Sequence, residues 1–331
     1  MRWLGRVDSS LDVNYEEDIV RYMNLGRSGF RASRVALGVM RIDQKSREEA
    51  RTIVETAMNA GVDFFDTADC YHAGASSRAL GQALKDLSVD RDSVGIQTKF
   101  GIFRNPDSDQ ITRYDFSKDH LLKALDEELV NLQTDHVDFV LLHRPDTLVD
   151  LDDLAEAFNE LQSSGKVRHF GVSNVNPMQV ELLQSAVSQR LEVNQLQFGL
   201  GHTGMVDQEI HVNMGDDPCL DHDGGLLAYS RLKSMTIQAW SPFQTGYFDG
   251  VFLDNPRYPE LNAELDKLAK QHGVSKSAIA VAWILRHPAG IQVLLGSMNP
   301  ERITQMAAGA DVDLTAQEWY DLYLSAGHDL P

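Results

Sequence analysis

Residues 137–172 read VDFVLLHRPDTLVDLDDLAEAFNELQSSGKVRHFGV and decide the fold class. The stretch opens with a short apolar run at 137–143, continues with an amphipathic helical period at 151–164, and ends with a second short run at 167–172. Short bounded apolar runs are typical of buried strands, and the longer period is typical of a helix. A strand, a helix and a strand in succession predict parallel strands covered by helices.

The same alternation continues along the whole chain. Candidate strands lie at 34–39, 62–66, 93–99, 137–143, 167–172, 193–198, 235–240 and 291–295. Helical periods lie between or after them at 46–60, 75–87, 117–133, 151–164, 177–187, 222–234, 259–272, 276–287 and 300–308. About eight strand–helix units fit a closed (β/α)8 TIM barrel of the α/β class better than an open sheet.

The chain has 331 residues, and at ~150 residues per domain this length would suggest about two domains. No Ser/Gly/Pro-rich linker divides it, so we expect one barrel domain over 1–331 with an N-terminal extension at 1–21. Gly26 and Gly29 predict the turn of a small hairpin before the first barrel strand. Further expected additions are long polar loops at the barrel mouth (100–116 and 199–224) and an extra C-terminal helix at 315–326.

Composition excludes several classes of function. The net charge of −19 and the lack of a Lys/Arg cluster argue against nucleic acid and anionic membrane surfaces as partners. No apolar run reaches the ~18 residues of a membrane helix, and the first residues do not resemble a signal peptide. Two cysteines, Cys70 and Cys219, fit a reducing compartment. We therefore expect a cytoplasmic protein, either a monomer or a weak homo-oligomer.

Chemistry in such barrels occurs at the carboxyl ends of the strands. Asp66 and Tyr71 follow the second candidate strand, Lys99 ends the third, and His143 ends the fourth. Each residue alone could be structural, but together they form a proton-transfer device. We expect the Lys99 ammonium to lower the pKa of the Tyr71 phenol, Asp66 to hold Lys99, and His143 to orient a carbonyl oxygen that receives the proton. No side chain supplies a hydride, which implies a nicotinamide cofactor.

These residues lie in segments that resemble the aldo-keto reductase family. The similar segments are 61–71 (GVDFFDTADCY) continuing to Gly74 and 80–84 (LGQAL), then Lys99, 141–146 (LLHRPD), 165–174 (GKVRHFGVSN) and 194–195 (NQ). The resemblance implies NADPH-dependent reduction of an aldehyde or ketone to an alcohol, with Tyr71 as proton donor and a small carbonyl compound as substrate. It implies no metal.

The resemblance also implies a set of NADP(H) contacts. Trp240 would stack on the nicotinamide, and Ser297, Asn299 and Arg302 would bind the adenosine phosphate near a helix N-terminus. The remaining implied contacts are Met40, Ser173, Asn174, Gln195, Ser241, Pro242, Phe243, Gly246 and Gln305. Three positions depart from the family pattern: Gly296 where many relatives have lysine, Met306 where many have asparagine, and Ser77 where glutamate is common.

Other interpretations remain. A regulatory barrel would bind NADP(H) with negligible turnover, and a Schiff-base enzyme would use Lys99 as an amine. Residues 199–204 spell G-x-G-x-x-G, but 205–215 show no clear helical period, which argues against a dinucleotide-binding fingerprint. The His-, Asp- and Cys-rich segment 211–223 lacks a recognised metal-ligand spacing, so we interpret it as a solvated acidic loop.

Overall fold

The structure is a computed structural model that describes residues 21–105, 110–246 and 249–331. Apart from Arg21, the expected extension 1–21 lies outside the described residues. The strands are β1 (Tyr22–Asn24), β2 (Arg31–Ser33), β3 (Val35–Gly38), β4 (Phe64–Asp66), β5 (Gly95–Phe100), β6 (Ile102–Arg104), β7 (Ile111–Tyr114), β8 (Val137–Leu142), β9 (Val167–Ser173), β10 (Leu191–Gln197), β11 (Thr236–Trp240) and β12 (Gln292–Leu295).

The helices among the described residues follow the strands in alternation. They are α1 (Arg47–Asn59), α2 (Ala75–Asp86), α3 (Lys118–Leu132), α4 (Leu151–Ser163), α5 (Pro177–Ala186), α6 (Gly204–Ile210), α7 (Leu226–Lys233), α8 (Pro259–His272), α9 (Lys276–Leu285), α10 (Pro300–Ala307) and α11 (Ala316–Ser325). Ser46 and Thr315 each form a capping box with the glutamate three residues later, which fixes the starts of α1 and α11.

Eight parallel strands close the predicted barrel. Strands β3, β4, β5, β8, β9, β10, β11 and β12 pair in chain order, and β12 pairs back onto β3 with Val293 opposite Val35. All eight candidate strands are thus confirmed, each within two residues at either end. The barrel strands are buried along nearly their whole length because helices cover the outer face. Their carboxyl ends meet at one mouth.

The predicted N-terminal hairpin is confirmed and closes the opposite end of the barrel. Strands β1 and β2 are antiparallel across a turn in which Gly26 and Gly29 both have positive φ. The hairpin places the Phe30 ring 6.1 Å from that of Phe64 and 5.5 Å from that of Phe139. These apolar contacts seal the end remote from the mouth.

The two long mouth segments carry more structure than the sequence predicted. In 100–116, strands β6 and β7 form an antiparallel hairpin with Ile102 opposite Tyr114, and its tip, 106–109, lies outside the described residues. The expectation that 205–215 contains no helix is wrong, because α6 begins at Gly204. A helix this short depends on tertiary contacts. Met205 and Val206 are buried, and the Tyr323 hydroxyl of α11 donates a 2.8 Å hydrogen bond to Asp207.

The predicted C-terminal helix is also confirmed. Trp319 of α11 stacks on Trp283 of α9 with ring centroids 4.9 Å apart, and each indole N–H donates to the other residue's carbonyl oxygen at 3.0 Å. This reciprocal pair fixes α11 against the outer layer of helices. Within the described residues, no helix has the length and hydropathy that a membrane crossing requires.

Candidate active site

A cavity of about 410 Å³ opens at the carboxyl ends of the barrel strands. The predicted site residues that line it are Met40, Asp66, Tyr71, His143, Ser173, Asn174, Gln195, Trp240, Ser241, Pro242, Phe243, Ser297 and Arg302. Lys99 lies beneath the floor with no exposed surface. Gly246, Asn299 and Gln305 do not line the cavity. The structure therefore brings the four candidate catalytic residues together and leaves three implied cofactor contacts outside the wall.

Three of those four residues form a buried chain of contacts. The Lys99 ammonium donates to Asp66 Oδ2 at 2.8 Å, to the Thr67 carbonyl oxygen at 2.6 Å, and to the Tyr71 hydroxyl at 3.4 Å. An ammonium buried among acceptors is held in one position. Its position is set by β5, whose end carries Lys99, and by β4, whose end carries Asp66.

The pKa values of Lys99 and Tyr71 differ in one respect from the sequence prediction. Burial alone lowers the pKa of Lys99, but the charges of Asp66 and Tyr71 outweigh it and raise that pKa above its ordinary value. For Tyr71 the balance is opposite: burial raises the pKa to about 12, and Lys99 offsets only part of this. The prediction of a lowered Tyr71 pKa is wrong because it omitted desolvation. Tyr71 consequently keeps its proton at neutral pH, so its hydroxyl is in the form that can donate a proton.

His143 stands beside the phenol as a neutral imidazole. Its ring centroid lies 5.8 Å from that of Tyr71, and Cys70 Sγ lies 3.6 Å from its Nδ1. Burial lowers the pKa of His143 well below its usual value, and the charges of Lys99 and Arg144 lower it further. A neutral imidazole can donate one hydrogen bond to a carbonyl oxygen without competing for the Tyr71 proton.

A chain of buried glutamines continues from Asp66 down the barrel axis. Gln97 and Gln195 donate to Asp66 Oδ1 at 2.6 and 2.9 Å, and both also donate to the side-chain oxygen of Gln238. Gln238 in turn donates to Gln292 at 2.8 Å, and Gln292 donates to the Ser33 carbonyl oxygen at 2.8 Å. At the mouth end of this chain of glutamines, Asp66 accepts the hydrogen bonds from Gln97 and Gln195. Asp66 is thereby held in position between the Lys99 ammonium and the two amides.

Polar groups on β9 and β11 form a second part of the wall. The Trp240 indole N–H donates to Asn174 Oδ1 at 3.2 Å, and Asn174 Nδ2 donates to Ser173 Oγ at 2.8 Å. Asn174 and Ser241 both have positive φ, at 57° and 50°. Such backbone conformations are uncommon for side-chain-bearing residues and cluster at functional sites. Here they turn the chain immediately after the two strands and expose Asn174, Trp240 and Ser241 to the cavity.

The end of the cavity next to β12 is lined by cations and by a hydroxyl. Arg302, Arg41 and Ser297 line it, and Arg41 donates to the Gly296 carbonyl oxygen at 2.6 Å. Asn299 caps α10 by accepting from the Arg302 backbone N–H at 3.0 Å, and Pro300 has no N–H to offer. Since the helix N-terminus has few remaining donors, binding of an anion here depends on side chains.

The family assignment follows from comparison with known proteins. The model of the aldo/keto reductase family matches residues 34–323, which include every barrel strand and the whole cavity wall. This chain belongs to the aldo/keto reductase family.

Individual relatives cover most of the chain. A 6-dehydroglucose reductase of Agrobacterium fabrum (strain C58) is 35% identical over 301 residues, which is 89% of this chain and 94% of that protein. An oxidoreductase of Escherichia coli (strain K12), YdhF, is 32% identical over 318 residues, covering 95% of this chain and 100% of that protein. A crystal structure of a Klebsiella pneumoniae aldo-keto reductase in complex with NADPH shares the fold, with a TM-score of 0.71 at 23% identity over 90% of this chain and 92% of that chain.

Three arginines of the cavity wall were not among the predicted site residues of this family member. Arg41, Arg104 and Arg144 all line the cavity. The sequence could have indicated that two of them lie at the site, because Arg144 directly follows His143 and Arg41 directly follows Met40. Arg104 lies in the segment predicted to be a loop, and nothing in its sequence context indicates that β6 would bring it to the mouth.

At Ser77, where the resemblance leads us to expect a glutamate, a carboxylate from another helix lies next to the side chain. Glu128 of α3 reaches towards Ser77 and accepts hydrogen bonds from the Ser77 hydroxyl at 2.5 Å and from the Thr98 hydroxyl at 2.8 Å. Burial, reinforced by the charge of Glu128, raises the pKa of nearby Asp69 to about 8. Asp69 and Glu128 both lie close enough to Lys99 for its charge to act on them.

The motifs set aside in the sequence have structural explanations. A Cβ at Gly199 would lie 2.1 Å from the Pro242 carbonyl oxygen, and one at Gly201 would lie 2.7 Å from that of Gln244. These glycines therefore permit close backbone contact with the loop after β11. In the acidic loop, His211 pairs with Asp216 at 2.7 Å. Within the described ranges, no group of three or more His, Cys, Asp or Glu side chains could hold a metal ion.

Proposed function

We propose that this chain reduces an aldehyde or ketone to an alcohol with NADPH as hydride donor and Tyr71 as proton donor. The observation that carries the proposal is the buried Asp66–Lys99–Tyr71 chain, which ends in a protonated phenol beside His143 in one cavity. The family membership and the relatives named as reductases support it.

The residues present fit an NADP(H) cofactor. Arg302, Arg41 and Ser297 offer donors suited to a phosphate, Ser173 and Asn174 suit the carboxamide of the nicotinamide, and the Trp240 ring suits stacking on its face. When bound, NADPH supplies a hydride. The nicotinamide end would lie beside Tyr71 and His143. The side chains suited to that end line the same cavity as these two residues; they are Ser173, Asn174, Gln195 and Trp240.

The protein's own groups perform the proton half of the reaction. A carbonyl oxygen placed between Tyr71 and His143 accepts a hydrogen bond from each. As the oxygen becomes basic, the Tyr71 hydroxyl transfers its proton and the alcohol forms. The resulting phenolate is stabilised by the Lys99 ammonium at 3.4 Å, and Asp66 holds that ammonium in place. The Asp66–Lys99 ion pair therefore raises the rate by stabilising the phenolate as it develops.

The geometry disfavours a Schiff-base role for Lys99. That chemistry needs a neutral, accessible amine with a lowered pKa. Lys99 is fully buried, donates to three acceptors and has a raised pKa.

The test is oxidation of NADPH, followed by absorbance, in the presence of a panel of aldehydes, ketones and quinones. We expect turnover with at least one of them and a preference for NADPH over NADH. Arg302→Met should weaken NADPH binding by about tenfold or more and leave NADH binding almost unchanged, because only NADPH carries the additional phosphate. Tight NADPH binding with no oxidation across the panel would contradict the proposal and favour the regulatory barrel.

A further inference from the structure

The cavity wall is positively charged in a protein whose net charge is −19. Its charged lining groups are Arg41, Arg104, Arg144, Arg302 and Asp66. The Asp66 charge is already balanced by Lys99 at 2.8 Å. The cavity therefore attracts anions locally although the protein as a whole repels them.

The four arginines fall into two groups, Arg41 with Arg302 and Arg104 with Arg144. Arg41 and Arg302 lie beside Gly296 and Ser297, where the proposed cofactor phosphate binds. Arg144 directly follows His143 and lies at the reacting end, with its guanidinium carbon 6.0 Å from the centroid of the Trp240 ring. A cofactor phosphate bound next to β12 would pair with Arg41 and Arg302. It would leave the charge of Arg144 without a function.

Arg144 is half-buried, and among the residues that the structure describes no carboxylate lies within ion-pair distance of it. A guanidinium removed from water without an anionic partner is unfavourable. Arg104 adds positive charge on the same side, since its charge and that of Arg144 both act on His143. Ile102 and Ile111 provide apolar wall next to these groups. A low-dielectric wall strengthens the attraction of Arg144 for a ligand anion.

We propose that the substrate of this site carries an anionic group, a carboxylate, sulfonate or phosphate ester, in addition to its carbonyl, and that Arg144 binds that group. The proposal rests on the proposed reductase function for the position of the carbonyl, between Tyr71 and His143. It adds a specificity-determining residue and the charge class of the substrate. A planar guanidinium fork can bind both oxygens of an oxyanion through charge-assisted hydrogen bonds, which are stronger than its bonds to a neutral ester or amide oxygen.

The turnover test compares para-substituted benzaldehydes that differ chiefly in the charge of the substituent. The pair is para-carboxybenzaldehyde and its methyl ester, and para-formylbenzenesulfonate distinguishes a sulfonate preference from a carboxylate preference. We expect kcat/KM at least about tenfold higher for one of the anions than for the ester, mainly through KM. Arg144→Met should remove this preference by lowering kcat/KM for the anions much more than for the ester, while Arg144→Lys should retain part of it. Equal kcat/KM for ester and anions in the unaltered protein would overturn the proposal.

The control variant is Arg257→Met. Arg257 is an exposed arginine whose guanidinium also lies 6.0 Å from an aromatic centroid, that of Tyr258, and it does not line the cavity. We expect it to leave the preference intact. A loss of preference in both variants would overturn the assignment to Arg144.

A binding measurement keeps this proposal separate from the reductase proposal. Benzoate and benzamide are titrated calorimetrically into the protein saturated with NADP⁺, so that the phosphate end is occupied. We expect benzoate to bind at least about tenfold more tightly than benzamide, and Arg144→Met to abolish the difference. If no aldehyde is reduced, the reductase proposal fails, yet this titration still tests the anion site. Equal binding of benzoate and benzamide would overturn the anion site itself.

Discussion

The Asp66→Asn variant is the sharpest probe of the buried chain beneath the cavity. Asp66 accepts from Lys99 through one oxygen and from Gln97 and Gln195 through the other. An asparagine offers one oxygen and one NH₂ group, so one side must face donors with a donor. Rotating Gln97 and Gln195 does not solve the conflict, because their N–H groups also bond to Gln238.

The expected loss of stability follows from these contacts. Removing one partner of a buried ion pair costs about 3–5 kcal/mol, since the other charge stays buried. A donor facing a donor leaves at least one buried group unsatisfied, at about 1–3 kcal/mol. The free energy of unfolding should therefore fall by about 4–8 kcal/mol. Turnover should fall by about 10²–10⁴-fold because the Tyr71 phenolate is no longer stabilised by a fixed ammonium.

The assay is urea unfolding, with reductase turnover measured at a temperature where the variant is folded. Asp138→Asn is the matched control. Asp138 is also fully buried and accepts from Arg91 at 2.7 Å and Arg168 at 2.9 Å, but it lies near the opposite end of the barrel. It should lose stability by about 3–5 kcal/mol and keep turnover within about threefold. An Asp66→Asn protein that unfolds within about 1 kcal/mol of the unaltered one, or that keeps full turnover, would refute the reasoning.

Two further predictions concern the buried carboxyl group of Asp69 and the close backbone contact at Gly199. The pKa of Asp69 is raised to about 8 by burial and by Glu128, so the folded state binds a proton that the unfolded state releases between about pH 4 and pH 8. The free energy of unfolding should therefore fall as pH rises through that window. Asp69→Asn should flatten this pH dependence, which is measured by urea unfolding at about pH 5 and about pH 9. An unchanged pH dependence in the variant would contradict this. Gly199→Ala places a Cβ 2.1 Å from the Pro242 carbonyl oxygen and should cost about 1–3 kcal/mol and weaken NADPH binding, measured by fluorescence titration. Gly204→Ala, with no atom within 4 Å of the added Cβ, should do neither, and equal effects of the two would contradict the steric argument.

The barrel was predictable from sequence because its signal is local. Each strand is a short apolar run bounded by helical periods, and caps such as Ser46 mark the helix starts directly. The convergence of Asp66, Lys99 and His143 was predictable for a related reason: in a barrel, strand ends are neighbours whatever their separation along the chain.

Other features depend on contacts that the sequence does not show. Helix α6 exists because Met205 and Val206 are buried and α11 binds Asp207, which no local period indicates. The sign of the Tyr71 pKa shift depends on the balance between burial and the charge of Lys99, and motif reasoning supplies only the charge. Arg104 reaches the cavity through the β6–β7 hairpin, whose pairing is equally non-local.

Single-turnover reduction by Tyr71→Phe tests the central claim most directly. The phenyl ring preserves most of the shape of the cavity and removes the hydroxyl group that would donate the proton. With a substrate from the panel, we expect the NADPH dissociation constant to stay within about threefold while the rate of NADPH oxidation falls by at least about 10²-fold. A rate within about tenfold of the unaltered protein, with NADPH bound equally well, would contradict the role of Tyr71 as proton donor.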